Sequence, residues 1–170
     1  MRHSFEKISI KMIVDGADIR RPSFYNHFLD KHDLLEWIVC ADVVTPAQKA
    51  LDAGTERDAI RTLFEKILHN EVFYRKAFGV TGQNSFEEAF VRQLIPLMES
   101  AMARTAHRRP QPAPLSEKDL ATCYALGLVT GIKVWLLKGI PADVDTLMKA
   151  TGYLAANIPF PADDAGGLVP

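Results

Sequence analysis

The sequence predicts an all-α protein, and three observations support this fold class. Signals for β-strands are almost absent, since no run of alternating apolar and polar residues is bounded by turn residues. Apolar residues instead recur at helical spacing along most of the 170-residue chain. Residues that can cap a helix stand before these periodic segments, and glycine or proline follows them.

Three short helices are predicted at the start of the chain. Ser9 can cap the first helix, which should end in the turn-forming residues 15–18. The second helix should cover residues 21–28, and Asp30 can cap the third. We expect the third helix to end near Thr45, because the residue before a proline disfavours the helical region.

The rest of the chain predicts longer helices with clear end signals. Thr55 can cap a helix that continues to His69. Ser116 and Asp119 are spaced as in a capping box, and Gly139 can end the helix that they begin. These helices are predicted over residues 55–69, 71–78, 84–105, 116–138 and 141–157.

The change from short to long helices marks a boundary between two units. The charge is also uneven, with an excess of basic residues in the first unit. We place the boundary within residues 43–54, which gives units of 1–45 and 46–158 and a flexible tail of 159–170. Residues 1–31 contain six Lys or Arg residues against four Asp or Glu residues, although the whole chain has a net charge of −1. Contact with nucleic acid would therefore need a local patch, and the first unit has the right sign for one.

Several classes of protein are disfavoured by what the sequence lacks. Its two cysteines have no disulfide or zinc spacing, and no signal peptide is visible, so a reducing cytoplasm fits best. Catalytic and nucleotide-binding motifs are absent, so we expect no enzyme, no catalytic residue, no metal and no cofactor. The most apolar stretch, residues 120–137, contains polar residues and favours a buried or interface helix over a membrane span.

Residues 9–28 have the pattern of two short helices joined by a tight turn at 17–19, which describes a helix-turn-helix. Phe24 and Phe28 are four residues apart and would face the core together. The side chains left on the outer face are Arg21, Ser23, Tyr25, Asn26 and His27. Arginine can read guanine, asparagine can read adenine, and tyrosine, histidine and lysine suit phosphates. A DNA-reading helix is one interpretation, and an amphipathic helix with a solvated outer face is the other.

A longer fingerprint surrounds this unit. It consists of Ile8-Ser9-Ile10, Met12-Ile13-Val14, Ala17-Asp18-Ile19, Phe24-Tyr25-Asn26-His27-Phe28, Lys31 and Asp33-Leu34-Leu35. Over residues 5–38 this pattern resembles the TetR family of one-component transcriptional regulators. The resemblance implies an N-terminal DNA-binding unit and a helical body that binds an effector and dimerises.

Site residues follow from the resemblance by position. The implied contacts to base edges are Arg20, Arg21, Pro22 and Ser23. The implied contacts to phosphates are Tyr25, His27 and Lys31. Ser9 would cap the supporting helix and can also touch phosphate, while Asn26 stays a candidate reader of adenine.

The chain departs from the family pattern at three places. Asp18 replaces the usual turn glycine, and Arg20 replaces the usual Ser or Thr cap, so we expect the second helix to lack a side-chain cap. Family members also carry a whole helix before the position of Phe5, and here we expect that first helix to be missing. Either the true start lies upstream or the DNA-binding unit is truncated. The residues that would lose part of their cover are Ile10, Ile13, Phe24 and Phe28.

Three segments of the body resemble a narrower group within the family. Residues 73–78, 82–86 and 131–139 are similar to regulators related to activators of dihydroxyacetone kinase operons. In that group a partner protein can replace a small-molecule signal. The resemblance therefore leaves the effector open between a small molecule and a protein.

The aromatic residues of the body could form a ligand pocket. An ordinary core is the simpler interpretation for each of them, but as a group they leave room for a cavity between the helices of 55–105 and 116–138. The candidate ligand-binding residues are Phe64, His69, Phe73, Tyr74, Phe86, Phe90 and Trp135.

The helix of 116–138 carries small residues among large apolar ones, which lets another helix approach closely. The small residues are Ala121, Ala125, Gly127 and Gly131. The resemblance implies a homodimer in which the helices of 116–138 and 141–157 pair with those of a second copy. Burial of the same helix within one protomer is the alternative.

The sequence thus favours a cytoplasmic TetR-like regulator that binds a palindromic double-stranded DNA operator as a homodimer. It would respond to an unidentified small-molecule or protein effector. The alternative is a dimeric ligand- or protein-binding module that has lost DNA binding.

Overall fold

The computed structural model describes residues 5–80, 85–106 and 115–156. All regular structure in these residues is helical, which confirms the all-α fold class. The helices are α1 (Ile10–Gly16), α2 (Arg21–Tyr25), α3 (Lys31–Val39), α4 (Thr45–Ala53), α5 (Glu56–His69), α6 (Glu71–Ala77), α7 (Phe86–Thr105), α8 (Glu117–Lys138) and α9 (Val144–Ala156). A 3-10 turn at Phe5–Lys7 and a π turn at Cys40–Val44 complete the order. The predicted tail of 159–170 lies outside the described residues.

The capping residues predicted from the sequence begin and end the helices at the expected positions. The hydroxyl of Ser9 accepts a hydrogen bond from the Met12 amide at 3.2 Å, and that of Ser116 accepts one from the Asp119 amide at 3.1 Å. Gly139 ends α8 with a φ of +62°, a left-handed conformation that glycine adopts without steric cost.

The expectation that the third helix ends near Thr45 is wrong. Helical residues continue without a break from α3 through the π turn into α4, and Pro46 lies in the first turn of α4. A proline within a helix removes one amide donor and crowds the turn before it, and here the chain widens into a π turn directly before Pro46. The wider π turn satisfies the Thr45 amide with the Cys40 carbonyl. Ala47 and Leu51 then pack the new helix into the core, where both are almost fully buried.

The hydrophobic core lies among the helices of the body. α7 packs along α8, and α4 packs along α5, while α9 lies against α5. The largest fully buried aliphatic residues at the centre include Leu63, Ile67, Leu94 and Leu136. Burial of each such side chain contributes roughly 1.5–3 kcal/mol, so this cluster holds the body together.

The N-terminal helices are attached to the body through α3. Glu36 on α3 accepts hydrogen bonds from Arg92 at 2.8 Å and from Gln93 at 2.9 Å, both on α7. Burial opposes ionisation of Glu36, but these two donors outweigh it and lower the pKa of the carboxyl below its ordinary value. The boundary within residues 43–54 stays a prediction, and helix α4 occupies most of that range.

Candidate nucleic-acid interface and effector cavity

The turn between α1 and α2 has the conformation that the sequence predicts. Asp18 has a φ of +52°, which its short polar side chain tolerates in place of glycine. The amide of Ile19 reaches back to the Val14 carbonyl at 3.0 Å and closes the turn. As expected, Arg20 makes no side-chain cap for α2.

Helix α2 separates an inner side from an outer side. Phe24 is 2% exposed, and its ring lies 5.5 Å from that of Phe28, which in turn lies 5.7 Å from the ring of Trp37 on α3. The exposed side chains of this segment are Arg20, Arg21, Pro22, Ser23, Tyr25, Asn26 and His27. Regular helix ends at Tyr25 rather than at Phe28 as predicted, although the Phe28 amide still bonds to the Phe24 carbonyl at 2.9 Å. The outer side thus presents cationic and amide groups to solvent.

The apolar side chains of this unit are buried to different degrees. Phe24 and Val14 are buried, whereas Ile10, Ile13 and Phe28 are half-buried. The ring of Phe28 contacts both Phe24 and Trp37 of α3, and Phe24 is the more deeply buried of the two phenylalanines.

Arg21 and Tyr25 interact with each other on the outer side of α2. A guanidinium N–H of Arg21 donates to the Tyr25 hydroxyl at 3.2 Å, and the guanidinium carbon lies 5.6 Å from the ring centroid. The arginine has further N–H donors, and the hydroxyl keeps its own hydrogen for donation. The pair can therefore approach a DNA groove and an adjacent phosphate together.

Lys31 has partners within the protein. Its ammonium lies 3.0 Å from the Phe5 carbonyl and 3.1 Å from those of Glu6 and Ile8, and it sits 4.8 Å from the Phe5 ring centroid. An ammonium has three N–H donors, so these carbonyls can engage all of them. Lys31 fixes the 3-10 turn against α3, and its contact with phosphate stays a prediction.

The candidate ligand-binding residues fall into three places. Phe64 and Trp135 line a cavity of about 470 Å³ among α5, α7, α8 and α9. His69 and Phe73 line a separate open recess at the junction of α5 and α6. The remaining three, Tyr74, Phe86 and Phe90, pack together as core and are at most 1% exposed.

Most of the cavity wall was not identified from the sequence. The wall residues that were missed include Ile60, Met98, Leu128, Ile132, Leu147 and Leu154. Gly127 and Gly131 also line it, and a Cβ added at either would meet no atom within 4 Å. The small residues of α8 were a usable signal, but they predicted a helix interface rather than a cavity.

The outer face of α8 is apolar and exposed. Its exposed large residues are Tyr124, Leu126, Val134 and Leu137. Among the described helices α8 alone is long and apolar enough to cross a membrane, a test that a core helix of a soluble protein also passes, and 33% of its most apolar window is buried. The described residues contain no group of three or more His, Cys, Asp or Glu side chains that could hold a metal ion.

The two-helix unit and the helical body attached to it define an all-α protein of the helix-turn-helix type. Residues 55–157, more than half of the chain, match the TetR-type family described as transcriptional regulator C-terminal region. The chain therefore belongs to the TetR family of transcriptional regulators, and the predicted resemblance is confirmed. The same finding supports the expectation that it is a regulator and not an enzyme.

One relative agrees with the narrower resemblance, and a solved structure shares the fold. The "HTH-type dhaKLM operon transcriptional activator DhaS" of Lactococcus lactis subsp. lactis (strain IL1403) is 28% identical over 100 residues, which are 59% of this chain and 52% of the relative. This chain thus spans about half the length of that relative. A solved structure of "Dihydroxyacetone kinase operon activator DhaS" matches with a TM-score of 0.64 and 21% identity, covering 92% of this chain and 88% of the other. The second likeness shows the shared fold.

Proposed function

We propose that this chain regulates transcription in the cytoplasm by binding a palindromic double-stranded DNA operator through α2. One observation carries the proposal: α2 anchors itself through the buried ring of Phe24 and exposes its polar side chains on the other side. A recognition helix needs this arrangement, because one side must pack while the other enters the major groove.

The outer side chains have distinct tasks in this proposal. Arg21 reads guanine and Asn26 reads adenine, since each can form a bidentate pair with the base. Arg20, Pro22 and Ser23 contact base edges at the start of α2. Tyr25 and His27 bind phosphates, which position the helix without reading sequence. Ser9 and Lys31 support the unit by the hydrogen bonds described above, and phosphate contact by Ser9 is a further part of the proposal.

A homodimer through α8 and α9 supports this function, because a palindrome requires a protein with matching two-fold symmetry. α8 exposes Leu126 and Leu137, and α9 exposes Tyr153 and Leu154. Pairing these faces with their copies would remove exposed apolar side chains of the body from water. To use successive major grooves, the dimer must hold its two recognition helices about 34–36 Å apart, or a helical-turn multiple of that distance.

An effector, either a small molecule or a protein, would act on the body. The cavity lined by Phe64 and Trp135 supports a small molecule, and the open recess at His69 and Phe73 lies at the surface where a protein could reach it. Tyr74, Phe86 and Phe90 would act by shaping the core rather than by touching a ligand.

Selection of binding sites from randomised DNA duplexes tests the proposal. We expect a two-fold symmetric motif whose half-sites lie about one helical turn apart, with affinity that falls steeply as salt rises. A reporter gene carrying that motif would then show whether this chain raises transcription, as the names of its two relatives suggest. A dimer that selects no motif at low salt would instead favour the alternative function, a dimeric ligand- or protein-binding module that has lost DNA binding.

A further inference from the structure

A single helical path runs from the proposed recognition helix into the body. The ring of Phe28, just after α2, lies 5.7 Å from that of Trp37, which attaches α2 to α3. From Lys31 to Ala53 the backbone stays helical through α3, the π turn at Cys40–Val44 and α4. α4 then packs along α5 of the body. The rotation of α3 relative to α4 about this path therefore contributes to the orientation of α2 on the body.

The core-facing residues along this path explain the π turn. They recur at every fourth position, and each is at most 4% exposed: Leu35, Val39, Val43, Ala47 and Leu51. An α-helix turns by about 100° per residue, so a row with this spacing drifts by about 40° per step and by about 160° over its length. In an uninterrupted α-helix the two ends of the row would lie on nearly opposite sides. A π turn takes in one extra residue, because its hydrogen bonds reach five residues back rather than four, and this reduces the drift to about 60°.

Pro46 is the local signal for this turn. It has no amide hydrogen, and in a regular α-helix its ring would crowd the carbonyl of Asp42, four positions earlier. The amide of Thr45 instead bonds to the carbonyl of Cys40, five residues back, which is the spacing of a π turn. Local chemistry at the proline and burial of the apolar row therefore favour the same conformation.

A side chain also fixes the π turn to the body. The carboxylate of Asp42 lies within the turn and accepts hydrogen bonds from the Tyr74 hydroxyl and the Asn70 side-chain amide. Both donors belong to α6 or to the residue directly before it. A shift of the turn by one residue would move the carboxylate away from these donors, so the turn has one favoured setting.

We infer that Pro46 is a positioning residue for DNA recognition: it favours the π turn, which sets the rotation of α2 relative to the body and so the half-site spacing that a dimer accepts. The inference rests on the operator-binding dimer proposed above and adds what determines its spacing. One base pair added between two half-sites turns one relative to the other by about 34°. Loss of the extra residue from the turn would rotate α3 by about 100°, which is enough to change the accepted spacing.

Operators with altered spacers test this inference. Fluorescence anisotropy at fixed salt compares the selected palindrome with versions whose half-sites lie one or two base pairs closer together or further apart. We expect the wild type to bind the selected spacing at least about tenfold more tightly than the others. Pro46→Ala restores an amide and removes the ring, so we expect this preference to fall by at least about threefold. Thr45→Ala changes the neighbouring exposed residue but keeps its backbone donor, and it should retain the wild-type preference.

A deletion provides a rescue that a merely structural role of the proline would not predict. Removal of Ala41, an exposed residue of the π turn, from the Pro46→Ala variant leaves an uninterrupted α-helix. Leu35 and Leu51 would again differ by only about 60° in this helix, as they do with the π turn. We therefore expect the double variant to regain the wild-type spacing preference. If Pro46→Ala alone does not fold, the double variant must still fold and select the wild-type spacing.

The possible failures can be told apart. An unchanged spacing preference in folded Pro46→Ala, or a double variant that does not show the wild-type preference, would overturn the inference. A wild type that selects a motif but binds all spacings equally would overturn it as well. A wild type that selects no motif would instead contradict the proposed function.

Discussion

Tyr74 donates a 2.6 Å hydrogen bond from its hydroxyl to the carboxylate of Asp42, and this contact joins α6 to the π turn after α3. Asn70 donates to the same carboxylate oxygen at 3.0 Å. Burial raises the pKa of Tyr74, and the hydrogen bond to Asp42 and its negative charge raise it further. The hydroxyl therefore stays protonated and acts as a donor throughout the physiological range.

Removal of this hydroxyl should destabilise the protein. Tyr74→Phe keeps the buried ring but takes one donor from the Asp42 carboxylate, so we expect a loss of about 1.5–3 kcal/mol in the free energy of unfolding. Urea unfolding measures the change. Tyr124→Phe on the exposed face of α8 is the matched control and should change the value by less than about 0.5 kcal/mol. Equal effects of the two substitutions would contradict the role given to the Tyr74–Asp42 contact.

Acid should weaken the link between α3 and α7 through Glu36. Hydrogen bonds from Arg92 and Gln93 outweigh the effect of burial and hold the pKa of Glu36 below its ordinary value of 4.5. A depressed pKa stabilises the fold above the unfolded-state value and loses that contribution as the pH falls through the folded-state value. Glu36→Gln should therefore flatten the acid side of the curve of unfolding free energy against pH. Glu65→Gln, at an exposed site on α5, is the control, and an identical flattening there would count against the link.

Two glycines should respond to alanine in opposite directions. Gly139 has a φ of +62°, so Gly139→Ala should destabilise the protein by about 1–2 kcal/mol. Gly16 is helical, and a Cβ there would meet no atom within 4 Å, so Gly16→Ala should stabilise by up to about 1 kcal/mol. Thermal unfolding of both variants checks the signs, and a neutral Gly139→Ala would contradict the left-handed end of α8.

Lys31 should act mainly by holding the start of the chain. Lys31→Gln removes an ammonium that three carbonyls share, so we expect faster amide hydrogen exchange around the 3-10 turn at Phe5–Lys7. The slope of DNA affinity against salt should stay nearly constant. A slope reduced by about one, with unchanged exchange, would instead favour the phosphate contact implied by family resemblance.

The helix ends were predictable because they depend on local chemistry. Ser9, Thr55 and Ser116 each cap a helix with their own hydroxyl, and Gly139 supplies a left-handed end. Helix α4 was not predicted, because the prediction of helix ends considered only local chemistry. A proline after Thr45 favours a helix end in isolation, but burial of neighbouring apolar residues in the core keeps this stretch helical.

Only the part of the candidate site that lies on a single helix could be predicted from the sequence. The division of α2 into an inner Phe24 and an outer polar face follows from helical spacing alone. The partners of Lys31 and the lining of the cavity depend on segments far apart in the sequence. Aromatic composition could not separate Phe64 and Trp135, which line the cavity, from Tyr74, which packs in the core.

The most direct test of the central claim is DNA binding by the wild type and Arg21→Ala on the selected palindrome and on its single-base variants. Fluorescence anisotropy at fixed salt would compare them, with Arg57→Ala at an exposed site on α5 as the control for loss of one positive charge. We expect Arg21→Ala to lose about 1–3 kcal/mol on the palindrome and to become indifferent to one base pair in each half-site, with Arg57→Ala unchanged. Equal losses for the two substitutions, or unchanged discrimination by Arg21→Ala, would contradict the claim that α2 reads DNA.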